Sequence, residues 1–150
     1  MATTTGSGVS VELVPLAHCT VGLEPPIVLA NTPSGNRYII GVKSARIEGE
    51  RLKASLKGTS VGDWLTVSAD GVGTLDVRAT LQTDDGALIF MHYNGRVDMS
   101  MGPGKAPLYA APLFDTGDAR YLWLNKIQTV YKGRLTEDLS QLEYEILELR

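Results

Sequence analysis

The segment Leu75-Asp76-Val77-Arg78-Ala79-Thr80-Leu81-Gln82-Thr83-Asp84-Asp85-Gly86-Ala87-Leu88-Ile89-Phe90-Met91-His92-Tyr93 decides the fold class. Leu75, Val77, Ala79 and Leu81 alternate with Asp76, Arg78, Thr80 and Gln82, the period of two that a half-buried strand shows. Asp85-Gly86 follows, and both residues accept the positive φ that a tight hairpin turn requires. With a two-residue loop, Asp84 faces Ala87, so Arg78 lies opposite Tyr93, Thr80 opposite Met91 and Gln82 opposite Ile89. Val77, Ala79 and Leu81 then meet Asn94, His92 and Phe90 on the other face.

The same signals recur outward from this hairpin. Asp70-Gly71 and Asn94-Gly95 read as two further hairpin turns. Runs rich in Val, Ile, Thr, Leu and aromatics predict strands at 9–17, 38–42, 47–56, 64–68, 74–83, 87–93, 109–114, 121–132 and 142–149. The last is ambiguous: Leu139, Leu142, Ile146 and Leu149 also keep helical spacing, but the alternation of Leu142, Tyr144 and Ile146 with Glu143 and Glu145 favours a strand. So many strands in one small domain leave exposed edges unless the sheet closes on itself. The expectation is an all-β fold with little helix: a single closed antiparallel β-barrel of about 8–10 strands, calycin-like or allene-oxide-cyclase-like. It would span 9–150, with 1–8 a flexible tail.

Composition narrows the function classes. The 150 residues are 43% apolar and 21% charged, with 14 Lys and Arg against 17 Asp and Glu for a net charge of −3. That balance argues against a nucleic-acid partner, which needs a basic face. The most apolar early stretch, 13–30, is broken by Glu24, Pro25 and Pro26, so no membrane span is expected. Residues 1–8 carry neither the basic nor the apolar region of a signal peptide, and the expectation is a cytoplasmic protein. A single cysteine, Cys19, cannot close an internal disulfide, and with only His18 and His92 it cannot complete a structural zinc site. No metal and no cofactor are expected.

Two arrangements of the central hairpin remain open. In one, the apolar face fills the core and Asp76, Arg78 and Thr80 form a solvated outer wall. In the other, Asp76, Arg78, Thr80, Met91 and Tyr93 line a ligand cavity. Leu81, Val77, Ala79 and Phe90 would then be covered by a second subunit, because so large an apolar patch is a liability in water. Trp64, opened by Asp63, could join such a cavity. So could Tyr121, Trp123 and Asn125, which share one face if 121–125 is a strand. Gly58-Thr59-Ser60-Val61-Gly62 matches the nucleophile-elbow pattern, but strand-like sequence follows it where a helix is required.

The motifs Gly35-Asn36-Arg37-Tyr38-Ile39-Ile40-Gly41, Gly62-Asp63-Trp64, Leu75-Asp76-Val77-Arg78, Thr83-Asp84-Asp85-Gly86-Ala87-Leu88-Ile89, Phe114-Asp115-Thr116-Gly117 and Tyr121-Leu122-Trp123-Leu124-Asn125 come in this order. The set resembles a bacterial and fungal family catalogued as domain of unknown function 3237. The resemblance implies a small antiparallel barrel that commonly self-associates, and the apolar face left uncovered in the cavity arrangement leads to the expectation of a homodimer. It also carries the family's Asp-Trp, Arg, Tyr and Trp-Leu-Asn positions onto Asp63, Trp64, Arg78, Tyr93, Trp123, Leu124 and Asn125. Lys43-Ser44-Ala45, Ala54 and Asp115 depart from the family pattern at the rim of any cavity.

Together these readings favour the cavity arrangement and a cofactor-independent enzyme using acid/base chemistry. Asp63, Asp76 and Tyr93 would move protons and Arg78 would stabilise an anion or enolate. Arg37, Trp64, Thr80, Met91, Tyr121, Trp123 and Asn125 would bind the substrate. That toolkit suits a lyase, an isomerase or a cyclase acting on a small oxygenated, aromatic or polyketide-like compound. The alternatives are a non-catalytic barrel that binds a small molecule and a structural oligomerising protein.

Overall fold

Strand alternation runs through nearly every apolar segment of the chain, and the chain folds accordingly. A computed structural model describes residues 3–6 and 8–150. Its strands are β1 Thr3–Gly6, β2 Val9–Leu23, β3 Ile27–Thr32, β4 Gly35–Glu48, β5 Lys53–Leu56, β6 Gly62–Val67, β7 Val72–Thr83, β8 Leu88–Asp98, β9 Leu108–Ala110, β10 Leu113–Asp115, β11 Thr129–Leu135 and β12 Gln141–Leu149. One short 3-10 helix, Leu122–Lys126, is the only helical element among the described residues. No helix there is long and apolar enough to cross a membrane.

Every pairing in the sheet is antiparallel. β2 pairs with β12, β12 with β11, β11 with β9, β9 with β8 and β8 with β7. β7 pairs with β5 and β6, both of these pair with β4, and β4 pairs back with β2. The result is a barrel-like sheet with one interior. β4 is a single strand where the sequence suggested two, because Val42 and Ala45 both find partners on β2. Within the stretch read as a tail, Thr3–Gly6 pairs with 9–12 of β2 as strand β1; Met1, Ala2 and Ser7 lie outside the described residues.

The β7–β8 hairpin corrects the expected register by one residue. Its loop has three residues, Asp84 to Gly86, not two. The Thr83 amide donates to the Ala87 carbonyl at 2.9 Å and the Gly86 amide donates to the Thr83 carbonyl at 3.0 Å. Gly86 sits at φ 95°, and the Thr83 hydroxyl accepts from the Ala87 amide at 2.7 Å. Val77 therefore faces Tyr93, Ala79 faces Met91 and Leu81 faces Ile89, while Arg78 faces His92 and Thr80 faces Phe90. A slip of one residue exchanges the faces of one strand relative to the other.

The interior consequently holds both apolar rows. Leu75, Val77, Ala79, Leu81, Ile89, Met91 and Tyr93 are all buried, in one core with Leu16, Cys19, Ile47, Tyr131, Tyr144 and Ile146. The dimer argument built on covering Val77, Ala79 and Leu81 loses its ground, since those side chains already fill the core. Two further expectations change. Asn94-Gly95 lies inside β8, where a side chain on residue 95 would collide with the Tyr109 carbonyl and Ala110 of β9. Glycine there serves close strand approach and not a turn. Tyr121, Trp123 and Asn125 belong to the 3-10 helix and its cap, so they do not share a strand face.

The 3-10 helix lies at the end of the sheet that carries the β7–β8 loop, with Tyr121 bonded to Asp85 and Trp123 against Arg51, and its Leu124 is fully buried in the core. Asn125 pins the preceding loop, accepting from the Thr116 amide at 2.9 Å and donating to its carbonyl at 2.8 Å. The register generates a direct expectation. Leu81→Ala should cost roughly 2–5 kcal/mol in denaturant unfolding, as for other large-to-small core changes, and Thr80→Ala less than about 0.5 kcal/mol. The reverse ranking would restore the two-residue loop.

Candidate functional site

Toward the other end, the inward rows of β2, β4, β6, β7, β8, β9, β11 and β12 leave a cavity with about 40 Å³ of room for the centres of water molecules. Its wall is apolar (Val21, Leu23, Ile40, Leu65, Val77 and Leu142 among others) except for Asp63 and Tyr93. Half-buried Val42 and Met99 stand among the wall residues. No Lys, Arg or His lines it.

Asp63 faces inward by the alternation of β6, in step with buried Leu65 and Val67. The β6–β7 pairing runs from Gly62 opposite Arg78 to Asp63 opposite Val77, and resumes only at Thr66 opposite Thr74. In the gap, the Asp76 amide donates to Asp63 Oδ1 at 3.0 Å. A side-chain carboxylate thus replaces a ladder carbonyl, which keeps a buried backbone donor satisfied. Burial pushes the Asp63 carboxyl up to about 6, the Asp76 amide pulls the other way, and the Asp76 charge adds a smaller upward push. A carboxyl raised by desolvation in this way gives up its proton only as pH climbs through about 6.

Below Asp63 lies a layer of phenols. Tyr93 and Tyr131 meet edge to face with ring centroids 5.1 Å apart, and Tyr131 stacks on Tyr144 at 4.0 Å. All three rings are at most 5% exposed. Burial raises all three phenols, so each stays a neutral donor. Cys19, paired opposite Tyr144 across β2 and β12, is likewise pushed up by burial, to about 11, and is an unreactive thiol at neutral pH. The hydroxyl of Tyr131 has no hydrogen-bond partner.

The expected site residues divide between interior and exterior. Asp63 and Tyr93 line the cavity and Met91 is buried in the core. Arg78 and Asp76 point outward, with side chains 64% and 43% exposed and a 4.0 Å contact between them. Arg78 also lies over the outward-facing Trp64, 6.0 Å from the ring centroid. Thr80 shares that outer face beside Phe90. For Asp76, Arg78 and Thr80 the cause is the three-residue loop, which sets the apolar rows of β7 and β8 together and leaves the polar row outside. Trp64 faces out because it alternates with Asp63 on β6. Arg37 belongs to the β3–β4 hairpin and donates to Ser34 Oγ at 3.3 Å. Tyr121 donates to Asp85 Oδ1 at 2.8 Å, and Trp123 stacks under Arg51 at 4.0 Å. Those two residues, with Asn125, belong to the end of the sheet that carries the β7–β8 loop. Tyr131 and Tyr144 were not anticipated, although Tyr144 alternates with Glu143 and Glu145 in its strand.

Asp63 makes stability depend on pH in a definite direction. Its folded pKa lies above the ordinary 3.8, so the folded state holds the proton more tightly than the unfolded chain. The resulting stabilisation is complete below about pH 4 and is lost as pH rises through about 6, amounting to roughly 3 kcal/mol at most. Asp63→Asn keeps an acceptor for the Asp76 amide and removes the ionisation. Urea unfolding should therefore show the variant gaining on the wild type by roughly 1–3 kcal/mol between pH 4.5 and 7.5. A gap that does not change with pH would mean that the carboxylate is solvated.

Comparison with known proteins follows the geometry. The chain is similar to a beta-barrel-like protein from Acinetobacter baumannii AYE (27% identity, TM-score 0.80, covering 93% of this chain and 96% of that one). It is also similar to a protein of unknown function from Clostridium acetobutylicum ATCC 824 (19% identity, TM-score 0.83, coverage 93% and 99%). A third likeness is to an enzyme from Penicillium herquei (22% identity, TM-score 0.70, coverage 97% and 100%). The last two show a shared fold. A comparison with curated proteins finds no match. The family described as protein of unknown function (DUF3237) matches over residues 11–149. With nearly the whole chain matched and barrel-like relatives of the same extent, the protein belongs to DUF3237.

Proposed function

We propose that the sheet is a single closed antiparallel barrel enclosing the active site of a cofactor-independent enzyme of the lyase, isomerase or cyclase type. Its substrate is a small oxygenated, aromatic or polyketide-like compound. One observation carries the reading: a desolvated carboxyl, Asp63, stands in an otherwise apolar wall beside one phenol, Tyr93. A carboxyl with a pKa near 6 is matched to proton transfer close to neutral pH.

The division of labour follows from charge. Ionised Asp63 removes a proton from a carbon next to a carbonyl, and electron density moves onto the carbonyl oxygen. Tyr93, a neutral donor, hydrogen-bonds that oxygen as it gains charge. The protonated Asp63 then returns the proton to a second position on the substrate. Isomerisation follows if that position is another carbon, and elimination follows if it is an oxygen that departs from the neighbouring carbon. Ring closure is the reverse of that elimination, with ionised Asp63 taking the proton of the attacking hydroxyl and returning it to the carbon next to the carbonyl. Arg78 takes no part in this scheme, since its guanidinium lies outside the barrel. The likeness to the Penicillium herquei enzyme supports a catalytic use of the fold.

A binding protein without turnover is the second reading, favoured by how apolar the rest of the wall is. Deuterium exchange into 2-indanone in D2O, followed by NMR, separates the two. The enzyme reading expects protein-catalysed exchange that climbs with pH through about 6 and levels off above it. Asp63→Asn should lower that exchange by roughly 10²-fold or more. Saturable binding of 2-indanone with exchange no faster than buffer would instead establish the binding protein.

A further inference from the structure

We infer that this cavity takes a neutral carbonyl compound, oxygen first, and that Tyr93 and Tyr131 form a two-step hydrogen-bond donor for that oxygen. The inference rests on the reading of the cavity as a small-molecule site and names what the site selects. Tyr93, on the wall, donates to the ligand oxygen. Tyr131, behind it, donates to Tyr93 Oη.

The unpartnered hydroxyl is the first observation. Tyr131 is 2% exposed and its Oη meets no acceptor, although a phenylalanine would give the same stacking on Tyr144 without that cost. Buried polar groups without partners are rare, and each one calls for an explanation. Tyr93 is the neighbour able to supply the missing acceptor, its ring meeting Tyr131 edge to face at 5.1 Å. Once the Tyr93 hydroxyl hydrogen turns to a ligand oxygen, its lone pairs are left to accept from Tyr131. Hydrogen bonds in such a chain polarise one another, so Tyr93 becomes the stronger donor.

The wall sets the rest of the specificity. Among its residues, only Asp63 and Tyr93 carry polar side chains, and none is cationic. An anionic ligand would shed its hydration, meet no positive charge and lie beside a carboxylate, which is strongly unfavourable. The roughly 40 Å³ of free room accepts the carbonyl end of a ligand, which needs only a donor; seating a six-membered ring, for which about 150 Å³ is the scale, requires the wall to part.

Cyclohexanone and methylenecyclohexane test this directly, being nearly the same shape with and without the acceptor. Their affinities are measured by chemical-shift titration at pH 7.5 in the wild type, Tyr131→Phe and Tyr93→Phe. The wild type should prefer the ketone by roughly tenfold, in keeping with the cost of leaving a buried donor unmade. Tyr131→Phe should reduce that preference to less than about threefold, leave the alkene affinity unchanged, and melt no lower than the wild type because it removes an unsatisfied hydroxyl. Tyr93→Phe should abolish the preference.

Equal affinities in the wild type, binding of neither probe, an undiminished preference in Tyr131→Phe, or a marked fall in its melting temperature would each overturn the inference. Tighter binding of cyclohexylammonium than of cyclohexanone would overturn it too, by assigning the site to Asp63 and a cation. The outcome is independent of turnover. Ketone selectivity without 2-indanone exchange would keep this inference and remove the catalytic reading.

Discussion

A carboxylate inside a β-sheet interior is tolerated only where a donor holds it, and here the donor is the main chain itself. The hydrogen bond from the Asp76 amide to Asp63 bridges β6 and β7 where their ladder is interrupted. Backbone satisfaction and side-chain placement become the same problem. The amide needs an acceptor, and the only atom supplied is the one that brings an ionisable group to the cavity wall. Removing the side chain would leave a buried N–H without a partner as well as emptying the site. The two requirements hold each other in place.

The surroundings of Asp63 then decide its chemistry. With wall residues that are mostly Val, Leu and Ile, water solvates the ionised form poorly, and no guanidinium or ammonium on the wall stands in for it. The surface acids behave oppositely. Asp118 is held down to about 2 by Arg120, and Asp84 is lowered by its hydrogen bonds to Arg46. Even buried Glu148 is paired, with Arg51 and Arg150, whereas Asp63 has no cationic neighbour on the cavity wall. Such a separation of environments is what lets a single residue type do two different jobs in one chain.

Much of this architecture was legible in the sequence, because period-two alternation and turn chemistry are local properties. The all-β class, the strand at the C-terminus and the hairpin at Asp85-Gly86 all follow from neighbours a few residues apart. What escaped was parity. Whether the loop after Thr83 holds two residues or three depends on hydrogen bonds that Asp85-Gly86 does not announce, and that one residue decides whether Arg78 or Val77 faces the interior. Asp63 was found for a different reason, the Gly62-Asp63-Trp64 motif that resembles the family's, and Tyr93 was placed in the cavity through a register that set it opposite Arg78, where the structure sets Val77. The phenol layer was out of reach from local pattern, since Tyr93, Tyr131 and Tyr144 come from β8, β11 and β12 and meet only when the sheet curls. Gly133 carries a trace of that meeting, for a side chain there would press on Tyr144 Cβ at 2.8 Å.

The 3-10 helix has a bearing on how the outer connections hold together. Leu124 is seated in the core, Asn125 is clasped to the Thr116 backbone, and the Thr116 hydroxyl donates in turn to the Leu88 carbonyl at the start of β8. Tyr121 reaches Asp85 in the β7–β8 loop from the same segment. One amide side chain therefore ties together two connections far apart in sequence, and loosening Asn125 would free both at once.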